Sequence, residues 1–92
     1  MKPIHWTAHA EEKLRYRDID RDEVERTLER PDAVMAMTSD PHRVVYQRRY
    51  PDEKIKAEMI LRVVVEETPL ELVVVTVYRS SKLDKYRGEQ RK

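Results

Sequence analysis

The sequence predicts an α+β domain: two N-terminal helices, then a three- to four-stranded antiparallel sheet, then a short C-terminal helix. Three observations predict it. In the first third, apolar residues recur at helical spacing, as Trp6, Ala10 and Leu14 and again as Val24 and Leu28. From Val44 onward, β-branched and aromatic residues alternate or run together, as suits a pleated surface. The turn signals between those runs, such as Asp40-Pro41 and Pro51-Asp52-Glu53, are short. Short turns join antiparallel strands, whereas parallel neighbours need a long crossover. The 92 residues suit one compact domain, 1–92, with 87–92 as a basic tail.

Each element has its own local reason. Thr7 is the N-cap of the first helix, with Glu11 and Glu12 near its positive end. Arg17-Asp18 ends that helix. Asp20 and Glu23 have the spacing of a capping box for the second helix, and Ile19 with Val24 that of a hydrophobic staple. Pro31 stops it, because proline bars the preceding residue from easy helical geometry. Val34 to Met37 reads as a short strand. Val44 to Tyr50 alternates, with Val44, Tyr46, Arg48 and Tyr50 on one face. Met59 to Val65 is nearly continuous apolar, broken by Arg62, and Leu70 to Tyr78 is rich in valine. Runs apolar on both faces belong at the centre of a sheet. Ser80 then caps a final short helix holding Leu83 and Tyr86.

Composition excludes several function classes. The chain has no Cys and a single Gly, Gly88. That removes disulfides, thiolate clusters and cysteine nucleophiles, together with glycine-rich phosphate loops. No apolar run approaches the ~20 residues of a membrane span, and the N-terminus has no apolar signal core. A soluble cytoplasmic protein is expected. Net charge is +1, yet residues 79–92 hold six Lys/Arg against two Asp/Glu. This local basic element either attracts phosphate or is a solvated terminus.

A few polar residues stand out. His9, in the first turn of the first helix, carries an imidazole, a side chain suited to acid–base work, or packs as an ordinary edge histidine. His5 and His9 are four apart, but an N-cap at Thr7 leaves His5 outside the helix, so neither a metal site nor a cofactor is expected. Arg62 interrupts an apolar strand. It must pair with a carboxylate, Glu58 or Glu71 being candidates, or face a solvated groove, where its planar fork suits phosphate. Tyr78, Ser80, Ser81 and Lys82 lie where the last strand ends, a common location for function. Arg43, Arg48 and Arg49 with Tyr46 and Tyr50 form an aromatic and basic mixture that holds nucleotides or simply protects an edge strand.

These residues also carry a resemblance. His9-Ala10-Glu11-Glu12-Lys13-Leu14, Arg17-Asp18-Ile19, Glu23-Val24 and Leu28-Glu29-Arg30-Pro31-Asp32 are similar to a bacterial and archaeal family of uncharacterised proteins. That family opens with His-Ala-x-x-Arg-Met-x-x-Arg-Gly-Ile. Arg62-Val63-Val64, Val75-Thr76-Val77-Tyr78 and Ser81-Lys82-Leu83-Asp84-Lys85-Tyr86 resemble its second half, so the likeness spans roughly residues 5–88. Asp18 stands where the family has Gly, and Lys13 where it has Arg. The family looks related to RelE-type and BrnT-type toxins, small endoribonucleases of toxin–antitoxin pairs, so the resemblance implies a RelE-like fold.

Two readings follow. In the first, the chain is a metal-independent endoribonuclease acting by 2′-OH attack. His9, Arg62 and Tyr78 are then catalytic, and Arg17, Arg48 and Lys82 bind substrate, with RNA or the ribosome as partner. In the second, it is a non-catalytic interaction module whose valine-rich strands are covered by a cognate antitoxin or by a second copy in a homodimer. The first requires His9, Arg62 and Tyr78 to converge on one groove.

Overall fold

In the computed structural model, residues 2–81 are described. Seven elements follow in order: β1 (Ile4–Trp6), α1 (Ala8–Tyr16), α2 (Arg21–Glu29), β2 (Ala33–Ala36), β3 (Arg43–Asp52), β4 (Ala57–Glu67) and β5 (Leu72–Ser80). The strands form one five-stranded sheet in the order β1-β5-β4-β3-β2. The fold is thus α+β, with two helices near the N-terminus and a mixed sheet.

The sheet corrects the expectation of three or four antiparallel strands. β2 to β5 are antiparallel neighbours, but β1 adds a fifth strand parallel to β5, with Ile4 opposite Leu72 and Trp6 opposite Val74. Three residues are too few to show a period-two pattern. The chain from α1 through β4 forms the long connection between β1 and β5 that parallel pairing needs. The expected C-terminal helix with Leu83 and Tyr86 lies outside the described residues.

The helices pack on one face of the sheet. Ala10 and Leu14 of α1, with Ile19, Val24 and Leu28 at and along α2, form one cluster with Leu61, Val63, Val65, Val74 and Val77. β4 lies at the middle of the sheet and β5 next to it, which is why both read as apolar runs. Thr7 caps α1 as expected, its Oγ1 accepting from Ala10 N–H at 3.1 Å. It also donates to the Val74 carbonyl at 2.8 Å, tying the helix start to β5.

The second cap differs from the expected capping box. Asp20 is the N-cap residue of α2 but makes no side-chain cap bond. Its carboxylate meets Lys54 Nζ at 3.2 Å, and the Glu23 carboxylate is taken by Arg48 and Arg26. Charge-assisted contacts are stronger than the neutral amide bonds they displace. Asp18, the position where Gly was expected, has φ 53°. That left-handed conformation is the one glycine adopts freely and aspartate tolerates.

Candidate functional site

Strand alternation divides the polar residues between two faces. In β4, Met59, Leu61, Val63 and Val65 point to the helices. Ile60, Arg62 and Val64 therefore point to the other face, on which no described helix lies. The register places Gln47 of β3 and Tyr78 of β5 on either side of Arg62. The Arg62 guanidinium carbon lies 5.8 Å from the centre of the Tyr78 ring, within cation–π reach.

Arg62 and Tyr78 line a groove of about 290 Å³. Its other wall is Met35, Ala36 and Met37 with Thr38 and Ser39 just beyond β2, and Val45 also lines it. Ile60 and Val64 are buried on this face beside Val45. The groove thus offers a cation, a phenol ring, two aliphatic hydroxyls and two thioethers. A phosphate can meet the guanidinium while a base lies against the ring. Gln47, only 6% exposed, has a side-chain carbonyl oxygen with no hydrogen-bond partner among the described residues. Sequence reading overlooked Gln47 and the β2 wall. The usable signal was a glutamine in the middle of a strand, whose register across from Arg62 appears only once the strands are aligned.

Arg62 lines the groove, and the two carboxylates named from sequence have other contacts. Glu58 pairs instead with Arg49 at 3.6 Å. Glu71 lies in the β4–β5 turn, where its carbonyl accepts from Thr68.

The remaining predicted residues lie elsewhere. His9 is exposed in the first turn of α1, in the helical layer, so the sheet separates it from Arg62 and Tyr78. The expected convergence of all three on one groove is not formed. Arg17 Nη1 donates to the Val77 carbonyl at 2.8 Å, bracing α1 against β5. Arg48 is largely buried between α2 and β3. It pairs with Glu23, donates to Thr27 Oγ1 at 3.2 Å, and lies 5.4 Å from the Tyr50 ring. Both arginines hold helix to sheet. Lys82 lies outside the described residues.

A second polar cluster closes the helical side at the ends of β3 and β5. Asp52, 5% exposed, accepts from Arg79 Nη1 at 2.6 Å, Tyr50 Oη at 3.1 Å and Lys54 N–H at 3.0 Å. Burial pushes its carboxyl up. The Lys54 amide, the Tyr50 hydroxyl and the Arg79 charge outweigh burial and hold it below the usual carboxylate range. Burial raises the Tyr50 phenol. Hydrogen bonds to Asp18 and Asp20 raise the exposed Lys54 ammonium. The small cleft here, about 60 Å³, is lined by groups that already hold one another. It reads as a clamp on the fold. Among the described residues, no three His, Asp or Glu side chains are grouped to hold a metal ion, and no helix is long and apolar enough to cross a membrane.

A family model described as "Domain of unknown function (DUF4258)" matches residues 6–79. No curated protein and no solved structure matches the chain. The match spans most of the chain, from Trp6 at the end of β1 to Arg79 in β5, and includes the Arg62–Tyr78 pair; the chain belongs to this family.

Proposed function

We propose that this DUF4258 chain is a RelE-like, metal-independent endoribonuclease whose reaction centre is the groove on the sheet face opposite α1 and α2. One observation carries the reading: Arg62 and Tyr78 sit side by side on adjacent central strands and open into the same groove. Cleavage by 2′-OH attack needs positive charge at the phosphorane and a proton for the departing 5′ oxygen. Arg62 supplies the charge through its fork. Tyr78 supplies the proton and regains one from water. The 2′-hydroxyl proton leaves to solvent, the P–O5′ bond breaks, and a 2′,3′-cyclic phosphate forms. His9, Arg17 and Arg48 take no part in this chemistry, and Lys82, which follows β5 in sequence, keeps its assignment to phosphate.

A second reading, a non-catalytic interaction module, is favoured by the apolar floor of the same face, where Val45, Ile60 and Val64 are buried. On that reading a cognate antitoxin lies along the groove.

The test is RNA cleavage by purified protein in EDTA, with and without ribosomes. Arg62→Lys and Tyr78→Phe are expected to lose cleavage while keeping the wild-type Tm, and His9→Ala to retain it. Loss in His9→Ala alone moves the reaction centre to the helical layer. No cleavage by folded wild-type protein overturns the enzyme reading in favour of the interaction module.

A further inference from the structure

The sheet has two edges, and they differ. β1 is three residues long, preceded by Lys2 and Pro3. β2 is flanked by a run without protection, since Ala33 to Ser39 contains no charged residue, no proline and no glycine. Edge strands of monomeric proteins usually carry a charge, a proline or a bulge that blocks further pairing. Val34, on this edge, is 52% exposed.

The backbone direction of β2 follows from its pairing with β3. Met37 N–H donates to the Arg43 carbonyl at 3.1 Å. In an antiparallel pair the bonded positions alternate, so Met35 and Ala33 also turn their backbone groups to β3. Val34 and Ala36 then turn theirs outward. Asp32 N–H also reaches the Gln47 carbonyl, at 2.7 Å, so the outward-facing set within the strand stops at Val34.

We propose that β2 pairs antiparallel with β2 of a second copy, about a two-fold axis passing beside Met35. The occupant is chosen by register and charge. Centred on Met35, Val34 of one copy faces Ala36 of the other, so both outward residues of each copy exchange hydrogen bonds. A pairing shifted by one residue sets outward groups against inward ones and satisfies neither. The same centring brings Arg30 near Asp40 of the second copy and Asp32 opposite Thr38, so no like charges meet. The axis is perpendicular to the sheet, so the faces opposite α1 and α2 become continuous between the two copies. With strands about 4.8 Å apart, the two Arg62-bearing strands lie five spacings apart, about 24 Å. This pairing stands on the β2 edge and does not depend on the proposed RNA chemistry.

A pairing this short falls at the weak end of specific interfaces, so the dimer is expected to dissociate on dilution. The test is sedimentation of the full chain from low micromolar to near-millimolar concentration, without RNA. Mass should rise from the 11.1 kDa chain toward twice that value. Ala36→Pro removes an outward donor while sparing the β2–β3 ladder, and is expected to stay monomeric at every concentration with the fold intact. Amide exchange of Val34 provides a second readout on unmodified protein: its outward N–H should be protected at high concentration and exchange freely when dilute. A wild-type monomer throughout overturns the proposal. So does a dimer that survives Ala36→Pro, or a Val34 amide that exchanges freely in the dimer.

Discussion

Asp52 is the most heavily engaged carboxylate of the described residues, and its removal gives the sharpest stability prediction. It is 5% exposed and accepts from Arg79, Tyr50 and the Lys54 amide. Asp52→Ala leaves the Arg79 guanidinium, 18% exposed, without its carboxylate and strands the Tyr50 hydroxyl. Breaking one side of a buried pair costs about 3–5 kcal/mol. The partial exposure of Arg79 places this case at the low end, about 3 kcal/mol. For a domain of this size each kilocalorie moves Tm by about 4–8 °C, so Tm should fall by roughly 12–24 °C. The sign of the pH effect follows from the lowered folded-state pKa of Asp52. Its contribution is fully present above the unfolded carboxylate value and is lost as pH falls through the lower folded value. Asp52→Asn should therefore flatten the acid limb of the stability curve relative to wild type. Thermal melts from neutral pH downward measure both effects. An Asp52→Ala Tm within a few degrees of wild type refutes the reasoning, as does an Asn variant whose acid limb keeps the wild-type slope.

Two further predictions concern the helical side. Asp18 sits at φ 53°, so Asp18→Gly should exceed Asp18→Ala in stability by about 1 kcal/mol, both having lost the Lys54 contact. Urea midpoints compare them, and equal values contradict a left-handed backbone there. Arg48→Met should lower stability by about 1–3 kcal/mol, because Glu23 Oε1 and Thr27 Oγ1 lose the arginine donor they share, although Glu23 keeps Arg26. A double-mutant cycle with Glu23→Gln should show coupling above about 0.5 kcal/mol, and additive losses count against the pair.

Much of the fold was legible because each element carries its own local signal. Thr7 and Pro31 mark boundaries that the structure keeps, and the doubly apolar pattern of Met59 to Val65 placed β4 at the centre; the turn expected at Pro51 falls later, because β3 continues through Pro51 and Asp52 opposite Glu58 and Ala57. β1 was not legible. Ile4 to Trp6 becomes a strand only because β5, about seventy residues later, offers it a parallel edge. The capping box failed for a related reason. Asp20 and Glu23 have the right spacing, but Lys54 and Arg48 arrive from β3 and the turn after it to claim their carboxylates. Local chemistry proposes a partner, and a charged group brought by the tertiary fold displaces it.

The candidate site divides along the same line. Sequence grouped His9, Arg62 and Tyr78 as catalytic and Arg17, Arg48 and Lys82 as substrate-binding, from their side-chain chemistry and the family resemblance. Strand alternation is what sorts them. Arg48 is opposite Leu61 and shares the helical face, where Glu23 satisfies it. Arg62 is one residue further along β4 and so points away from the helices, next to Tyr78. A single step along the strand turns an arginine from a brace between helix and sheet into a groove-lining cation. The two faces can therefore change independently. Substitutions at Arg17 and Arg48 act on how the helices are held, whereas those at Arg62 and Tyr78 act on the groove of the opposite sheet face.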